Sequence, residues 1–196
     1  VAVFEPIDLN GAVTTRATLH NITYIKDMML GIGDRIRVYR SNMVIPKVHD
    51  SIDKSSNFTI PDKCPICGSP TKIVKDNDSE VLICTNDDCK GKLLGKLSHA
   101  VSKNALNVDG LSEATIQKFI DLGWLTSIKD IYYLSDHEKE MSMLEGFGKR
   151  SVTKLLDSIE KSRNTSLHRF IYSLSIPLVG KSASKDIANR VDGDFD

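Results

Sequence analysis

Along the first 60 residues, short apolar runs alternate with polar positions, a pattern typical of β-strands. The clearest strand is predicted around Ile36 and Val38, which would share one face of it. A short helix is expected near residues 21–29, and Asn10-Gly11 marks a turn. Short strands with a single helix favour a compact β-barrel, and the OB-fold is the barrel that fits best.

Beyond Ser98 the apolar positions recur every three to four residues, as on one face of an α-helix. The residues that would share a face are Ile116, Phe119 and Ile120 in one helix and Val152, Leu155, Leu156 and Ile159 in another. Gly123 is expected to end the first of these helices, and the tetrapeptide Ser-Asp-His-Glu at 135–138 has the spacing of a capping box. A connecting helix is predicted from Lys90 to Val101.

All the cysteines of the chain lie in one stretch, as two pairs: Cys64, Cys67, Cys84 and Cys89. Two disulfides or one metal ion would explain this clustering. Disulfides belong mainly to oxidising compartments and small domains, and no apolar secretory leader is visible. Two such pairs can complete the sulfur tetrahedron that Zn²⁺ prefers. We therefore predict a structural zinc ribbon, in which four sulfur ligands leave no position for a substrate.

One pattern occurs three times in the helical zone: an apolar residue, any residue, glycine, an apolar residue, glycine, and the start of a helix. The three segments are 108–113, 144–149 and 176–181, at offsets of 36 and 32 residues. This is the helix-hairpin-helix pattern. A single copy would fit an ordinary helical hairpin with a glycine turn, whereas three copies favour DNA binding.

The three copies differ in their glycines. The second copy has both, Gly146 and Gly148. The first keeps Gly110 and has Ser112 in the other position, whereas the third has Leu178 in the first position. The second copy is therefore the best-formed candidate for a phosphate clamp.

Glycines in such a turn would let the backbone approach a phosphate without an intervening Cβ. The free N–H groups of the following helix would face the same anion, and the contact would ignore base identity. The candidate DNA-binding residues of the repeats are Gly110, Gly146, Gly148, Lys149, Arg150, Gly180 and Lys181.

Composition changes this picture little. Apolar residues make up 40% of the chain, as in globular proteins, and 26 Lys and Arg balance 26 Asp and Glu. Net charge thus gives no sign of a nucleic-acid partner, although binding needs only a local basic patch. No run of about 18 apolar residues occurs, so no membrane partner is expected.

The order of OB-like zone, zinc ribbon and helix-hairpin-helix repeats resembles that of bacterial NAD-dependent DNA ligases. The most specific part is residues 13–21, Val-Thr-Thr-Arg-Ala-Thr-Leu-His-Asn, which is similar to the OB-domain signature of that family. Residues 32–34 and 44–48 continue the resemblance at matching spacing, and it covers essentially the whole chain.

The resemblance implies a multi-domain α+β fold. An OB-fold domain lacking its first strand would span residues 1–62, and the four-cysteine zinc ribbon residues 63–90. An all-α domain with three hairpins, the fourth missing, would span residues 91–196. The adenylation and BRCT domains of the family would lie outside the chain.

The resemblance also implies an activity, the sealing of single-strand nicks in duplex DNA during replication and repair. In the family, NAD adenylates an enzyme lysine, AMP passes to the 5′-phosphate, and the 3′-hydroxyl displaces AMP with the help of magnesium. That lysine lies in a Lys-x-Asp-Gly motif, which this sequence lacks. No catalytic residue is therefore expected here, NAD and magnesium would bind elsewhere, and the chain alone should be inactive.

The implied partners are nicked duplex DNA and the enzyme's own adenylation domain, in a monomer located in the bacterial cytoplasm and associated with the nucleoid. Arg16 and His20, the polar members of the signature, would contact either partner. Alternatively, they belong to a surface strand and a helix start capped by Thr18 or Asn21. The arginines at 35, 37 and 40 could follow phosphates or form a solvated strand face. In the connecting helix, Lys92, Lys96 and His99 could contact the DNA or form a solvated helix face.

Two other functions fit the same modules. A stand-alone DNA-repair protein could use the zinc ribbon and the repeats, and an RNA-binding protein could use the OB-fold and the ribbon. Duplex DNA and duplex RNA distinguish these interpretations, because turns that fit the phosphate spacing of B-form DNA should fit A-form RNA less well.

Overall fold

The computed structural model describes residues 1–42 and 44–191, with only the backbone of Asp76. The last five residues of the predicted helix-hairpin-helix domain, 192–196, lie outside the described residues. The chain divides into two compact units, Val1–Asp87 and the part that begins at Asp88. Among the described residues, no helix combines the length and the apolar character needed to span a membrane.

The first unit is built from three antiparallel strand pairs and one helix. The pairs are β1 with β2, β3 with β4, and β5 with β6. The bounds are β1 Ala2–Asp8, β2 Val13–Ala17, α1 Ile22–Asp27, β3 Ile36–Ser41, β4 Ile45–Ser51, β5 Thr71–Asp76 and β6 Ser79–Cys84. The predicted short helix near 21–29 is confirmed by α1.

The alternation predicted for β3 is also confirmed. Ile36 and Val38 are half-buried and pack against a small core of Ala17, Leu30 and Val48. Arg37 and Tyr39, which alternate with them, are exposed, so one face of the strand supplies the core. Helix α1 lies over this core and begins at Asn21, whose side chain accepts a hydrogen bond from the Tyr24 backbone N–H at 2.8 Å.

The predicted barrel does not close within the described part of the chain. The β1–β2 pair and the β3–β4 pair are joined by a single parallel bridge between Thr18 and Lys47, and each remains a two-stranded sheet. Alternation determines which side chains face inward, but closure depends on hydrogen bonds between strand pairs distant in sequence. The expectation of a closed barrel is therefore corrected.

The second unit is helical, as predicted. Its elements are α2 Lys90–Val101, α3 Glu113–Asp121, a 3₁₀ helix Ile128–His137, α4 Glu138–Met141, α5 Lys149–Ser162, α6 Leu167–Ser173 and α7 Lys181–Val191. Helix α2 has the bounds predicted for the connecting helix. The core contains the apolar faces predicted for α3 and α5, namely Ile116, Phe119, Ile120, Val152, Leu155 and Ile159, with Leu156 partly buried beside them.

Helix α3 ends at the predicted glycine. Gly123 has a φ of +76°, a conformation that glycine adopts without cost. Its N–H bonds to the Ile120 carbonyl, and the N–H of Trp124 bonds to the Phe119 carbonyl. These two bonds are those of a Schellman motif, which satisfies the last carbonyls of a helix.

The capping box predicted at 135–138 is wrong, because that segment continues the 3₁₀ helix into α4. A capping box lies earlier, at Ser127 and Asp130, where the same Ser-x-x-acid spacing occurs. One Asp130 carboxylate oxygen accepts from the backbone N–H groups of Thr126 and Ser127, both at 2.8 Å. Burial alone would raise the pKa of Asp130, but these hydrogen bonds lower it.

Candidate metal centre and nucleic-acid interface

The sulfur atoms of the four cysteines lie within 4.8 Å of one another: Cys64, Cys67, Cys84 and Cys89. None of the four forms a disulfide, and the Sγ atoms of Cys67 and Cys84 are 3.5 Å apart. A zinc–sulfur bond of about 2.3 Å gives a tetrahedral edge of about 3.8 Å. The spacing of the thiols therefore fits one four-coordinate ion.

Backbone geometry brings the first pair of cysteines together. The Cys64 carbonyl accepts the Gly68 N–H at 2.8 Å, and Gly68 has a φ of +71° that suits this tight turn. Cys84 is the last residue of β6, and Cys89 immediately precedes α2. A tight loop, a strand end and a helix start thus each supply ligand atoms.

The environment of these thiols is consistent with metal binding. Burial raises the pKa of the Cys84 thiol to about 11, so without an ion it stays protonated at neutral pH. A bound zinc ion would hold the same sulfur as a thiolate, because a metal displaces the proton of a coordinating thiol. The four cysteines would hold zinc in a closed shell with a structural role.

The three repeated segments each form a turn with a left-handed residue at the same position. We define turn 1 as residues 108–112, turn 2 as 144–148 and turn 3 as 176–180. The third residue of each has a positive φ, at Gly110 (+94°), Gly146 (+86°) and Leu178 (+66°). Helices α3, α5 and α7 begin at the residue directly after the turn, so the sequence repeat is also a structural repeat.

The last residue of each turn begins the helix in the same way. The carbonyls of Ser112, Gly148 and Gly180 accept the N–H four residues later, at 2.9, 3.1 and 2.9 Å. The first N–H groups of α3, α5 and α7 have no acceptor within their helices. Each helix start can therefore offer N–H groups to an anion that the turn admits.

Turn 1 is partly occupied by contacts within the protein. The Asp109 N–H donates to the Ser158 hydroxyl of α5 at 2.8 Å. A Cβ at Gly110 would lie 3.5 Å from the Leu155 side chain. Because 3.5 Å is an ordinary van der Waals distance, turn 1 needs glycine for its φ of +94° and not for space, whether or not a ligand is present.

Turn 2 is open to solvent. A Cβ added at Gly146 or at Gly148 would meet no atom within 4 Å. Lys149 and Arg150 follow at the exposed start of α5. Of the three turns, turn 2 combines two glycines, open space and two adjacent cations, as the sequence indicated.

The structure adds one cation to turn 2 that the sequence analysis missed. The ammonium group of Lys118, on α3, donates to the Glu145 carbonyl at 3.2 Å. Lys118 is 27 residues away from Glu145 in sequence, so only the packing of the helices shows this proximity.

At turn 3, the ammonium nitrogen of Lys181 lies 3.3 Å from the Asn104 side-chain oxygen.

Arg16 and His20 lie on the surface of the first unit. Arg16 is exposed on β2 opposite Val3 of β1. His20 is exposed with a φ of +54°, and its ring meets the Tyr24 ring edge-on at a centroid distance of 5.1 Å. Both side chains are accessible to a partner, and Asn21 next to them caps α1.

Other basic residues are engaged within the protein. Arg35 forms an ion pair with Asp53, and Arg37 forms one with Asp50. These guanidinium groups hold the pKa of each carboxyl below its usual range. Arg40 is half-buried and donates to the Ala12 carbonyl at 3.2 Å. These contacts favour the strand-face interpretation over phosphate tracking.

His99 is half-buried and engaged within the protein. Its Nε2 lies 2.8 Å from the Tyr172 carbonyl oxygen, and the two rings are 4.5 Å apart between centroids. His99 therefore joins α2 to α6, a contact that neither interpretation made from the sequence included.

Comparison with known proteins supplies the family context. Residues 1–58 match the family model of the NAD-dependent DNA ligase OB-fold domain. The chain is similar to a segment of NAD-dependent DNA ligases. The DNA ligase of Lachnoclostridium phytofermentans is 43% identical over 195 residues, which cover 100% of this chain and 30% of that protein.

Similar relatives occur in other bacteria. The DNA ligase of Ruminiclostridium cellulolyticum is 40% identical over 185 residues, covering 94% of this chain and 28% of the relative. The DNA ligase of Thermotoga maritima is 37% identical over 196 residues, covering 97% and 28%. The chain thus spans about 30% of the length of these ligases, and the resemblance drawn from its sequence is confirmed. The matched region contains strands β1 to β4 and α1, which assigns them to an OB-fold domain.

Proposed function

We propose that this chain is the DNA-binding segment of an NAD-dependent DNA ligase that seals nicks in duplex DNA during replication and repair. The observation that carries the proposal is the similarity of the whole chain to one segment of DNA ligases. Nick sealing joins a 3′-hydroxyl to a 5′-phosphate, with NAD as the donor of AMP. The segment would hold the duplex while the reaction takes place elsewhere in the protein.

The proposal assigns a role to each part of the chain. Residues 1–62 form the OB-fold domain, residues 63–90 a zinc ribbon, and residues 91–196 a helix-hairpin-helix domain. Zinc held by the four cysteines would fix the end of β6 through its last residue, Cys84. It would also fix the start of α2 through the residue that precedes it, Cys89. It would supply structural order and no chemistry, since its four ligands leave no open position.

The turns would bind phosphates of the DNA backbone. Turn 2 is the main clamp, because Gly146 and Gly148 leave open space and α5 begins with Lys149 and Arg150. Gly110 in turn 1 and Gly180 with Lys181 in turn 3 would make weaker contacts. Contacts to phosphates carry no base information, which suits an enzyme that must act on any sequence.

The remaining requirements lie outside the chain. The sequence has no Lys-x-Asp-Gly motif, so the adenylated lysine, NAD and magnesium belong to other domains of the parent protein. Arg16 and His20 would contact the nicked duplex or the adenylation domain of the same monomer. With DNA as its substrate, the parent protein would lie in the cytoplasm, beside the nucleoid.

A stand-alone DNA-repair or RNA-binding module is the alternative. It is less favoured, because the relatives carry this segment as 28–30% of proteins named DNA ligase.

Binding measurements test the proposal. Fluorescence anisotropy of the 196-residue chain is measured with a nicked DNA duplex and with an RNA duplex of the same sequence, at several salt concentrations. We expect tighter binding to the nicked DNA, weakened steeply by salt as phosphate contacts require. Equal or tighter binding to RNA, or no binding to DNA, would contradict the proposal.

A further inference from the structure

Turn 3 differs from the other turns at one position. Turns 1 and 2 have glycine where turn 3 has Leu178, yet the backbone is left-handed at all three positions. In this conformation the Cβ of leucine comes close to the following carbonyl oxygen, a contact that glycine avoids. Leucine is thus held where it is less favourable than the residue that the other turns use.

The described part of the chain offers no compensating contact for Leu178. Its side chain is fully exposed, more than any other large apolar side chain described. Apolar residues along α6 and α7 are different, because Phe170, Leu174 and Ile187 are only 38–42% exposed and so partly packed. A strained residue that nothing among the described residues holds in place points to a contact made with a partner.

The surroundings of Leu178 indicate the chemistry of that partner. Lys181 opens α7, and its ammonium group lies 3.3 Å from the Asn104 side-chain oxygen. Arg169 of α6 donates to the carbonyls of Ala105 and Lys103 at 2.8 and 2.5 Å. Two cations, Arg169 and Lys181, therefore both contact residues 103–105, next to the start of α7. An apolar tip beside cations matches the minor groove of a duplex, where phosphates flank the sugars and the stacked bases between which apolar side chains insert.

We propose that Leu178 is an apolar wedge that enters the minor groove of duplex DNA when turn 3 meets the backbone. This proposal rests on the proposed function of the chain. At turns 1 and 2, glycine would let the main chain approach a phosphate. At turn 3, the leucine side chain would instead contact sugars and base edges, so this turn adds affinity that depends little on salt.

Substitutions at Leu178 test the wedge. Anisotropy on a nicked duplex at several salt concentrations compares the 196-residue parent with Leu178→Gly, Leu178→Asn and Leu178→Phe. Glycine and asparagine both accept the left-handed backbone. We expect both variants to bind roughly tenfold more weakly, the loss of one buried leucine side chain. The slope of log K against log salt should not change, because no charge is removed, and Leu178→Phe should bind like the parent.

A matched control is Leu122→Ala, which removes an exposed apolar side chain just past the C-terminal end of α3. It should bind like the parent, and circular dichroism verifies that each variant is folded. Parent protein that does not bind the duplex would overturn the proposed function. The wedge is overturned, while the proposed function stands, by either of two results with a parent that binds. In the first, the folded Leu178→Gly and Leu178→Asn variants bind as tightly as the parent. In the second, their binding depends less on salt than that of the parent.

Discussion

At the scale of single residues, turn 2 separates two roles of glycine. Gly146 has a φ of +86°, so its backbone needs glycine whether or not a ligand is present. Gly148 has a φ of −97°, which any residue adopts, and a Cβ there would meet no atom within 4 Å. Only an approaching partner would make glycine necessary at Gly148, which makes this position the more informative one to change.

We predict that Gly148→Val weakens binding to a nicked duplex while the protein stays folded. The valine side chain would occupy the space through which a phosphate approaches, and the charge of the protein would be unchanged. Anisotropy should show a loss of roughly tenfold or more, corresponding to about 1.4 kcal/mol. Gly148→Ala, with a smaller side chain, should lose less. A folded Gly148→Val variant with parental affinity would make turn 2 a purely structural turn.

The cations of turn 2 lead to a second prediction. Replacing Lys149 and Arg150 with alanine should weaken duplex binding equally for all sequences, because phosphates carry no base identity. The slope of log K against log salt should fall by about 0.9 for each DNA phosphate that the variant no longer neutralises.

The control for this prediction is the double change of Lys154 and Lys161 to alanine, which removes the same charge from exposed positions farther along α5. It should reduce the slope less. Equal slopes for the two double variants would mean that only net charge matters, and the clamp at turn 2 would be rejected.

At the scale of elements, local hydrogen bonds determine where helices begin and end. Both Ser127-x-x-Asp130 and the Ser-x-x-Glu at 135–138 have capping-box spacing, but only the first lies at a helix start. The second is inside the 3₁₀ helix because Ile131 and Leu134 are drawn into the core. Spacing identifies candidates for a cap, and packing of the neighbouring apolar residues selects among them.

We predict that Asp130→Ala lowers the free energy of unfolding by about 1 kcal/mol at pH 7, as for the loss of a helix cap. The folded-state pKa of Asp130 is lowered, so its stabilisation is full above the unfolded pKa of about 3.9. It is lost as the pH falls through the folded pKa. Urea unfolding at pH 7 and near pH 3 should therefore show a difference from the parent that shrinks in acid.

Asp136→Ala is the control, since Asp136 is exposed in the same 3₁₀ helix and belongs to the box that the structure does not form. It should leave stability within about 0.5 kcal/mol of the parent. A larger loss for Asp136→Ala than for Asp130→Ala would contradict the assignment of the cap.

The cysteine pairs are also an element-scale feature, and we predict one tightly bound zinc ion per chain. Elemental analysis of protein purified without chelator should find it, and Cys89→Ser should abolish it. Metal binding should be coupled to local folding, because only a bound ion holds the four sulfur atoms together as thiolates. Removal of the ion by a chelator should therefore expose the region around β5 and β6 to proteolysis. Intact disulfides found by mass spectrometry, or zinc-free native protein, would refute the metal centre.

At the scale of the whole molecule, the chain corresponds to only part of the related ligases. It spans about 30% of the length of the related ligases, and it lacks a Lys-x-Asp-Gly motif. We predict that the isolated chain forms no covalent adduct with AMP after incubation with NAD and magnesium. Intact-mass spectrometry measures this, with a full-length ligase as the positive control. An AMP adduct on the isolated chain would show that it has an adenylation site of its own.

The sequence by itself determined the features that depend on neighbouring residues. These include the cysteine pairs, the inward face of β3, the connecting helix α2, the end of α3 at Gly123 and the locations of the three turns. In each case the residue type dictates the local backbone or the face that seeks burial, so a short window of sequence suffices. The family resemblance was equally readable, because it depends on the order of such local motifs.

Only the tertiary structure decided what depends on contacts between distant segments. It paired the strands without closing a barrel, placed His99 against Tyr172, and brought Lys118 to within 3.2 Å of the turn that holds Glu145. It also engaged Arg35 and Arg37 with aspartates, which removed them from the candidate interface. Such contacts join residues tens of positions apart, and their choice depends on how whole elements pack, which no local pattern of side chains encodes.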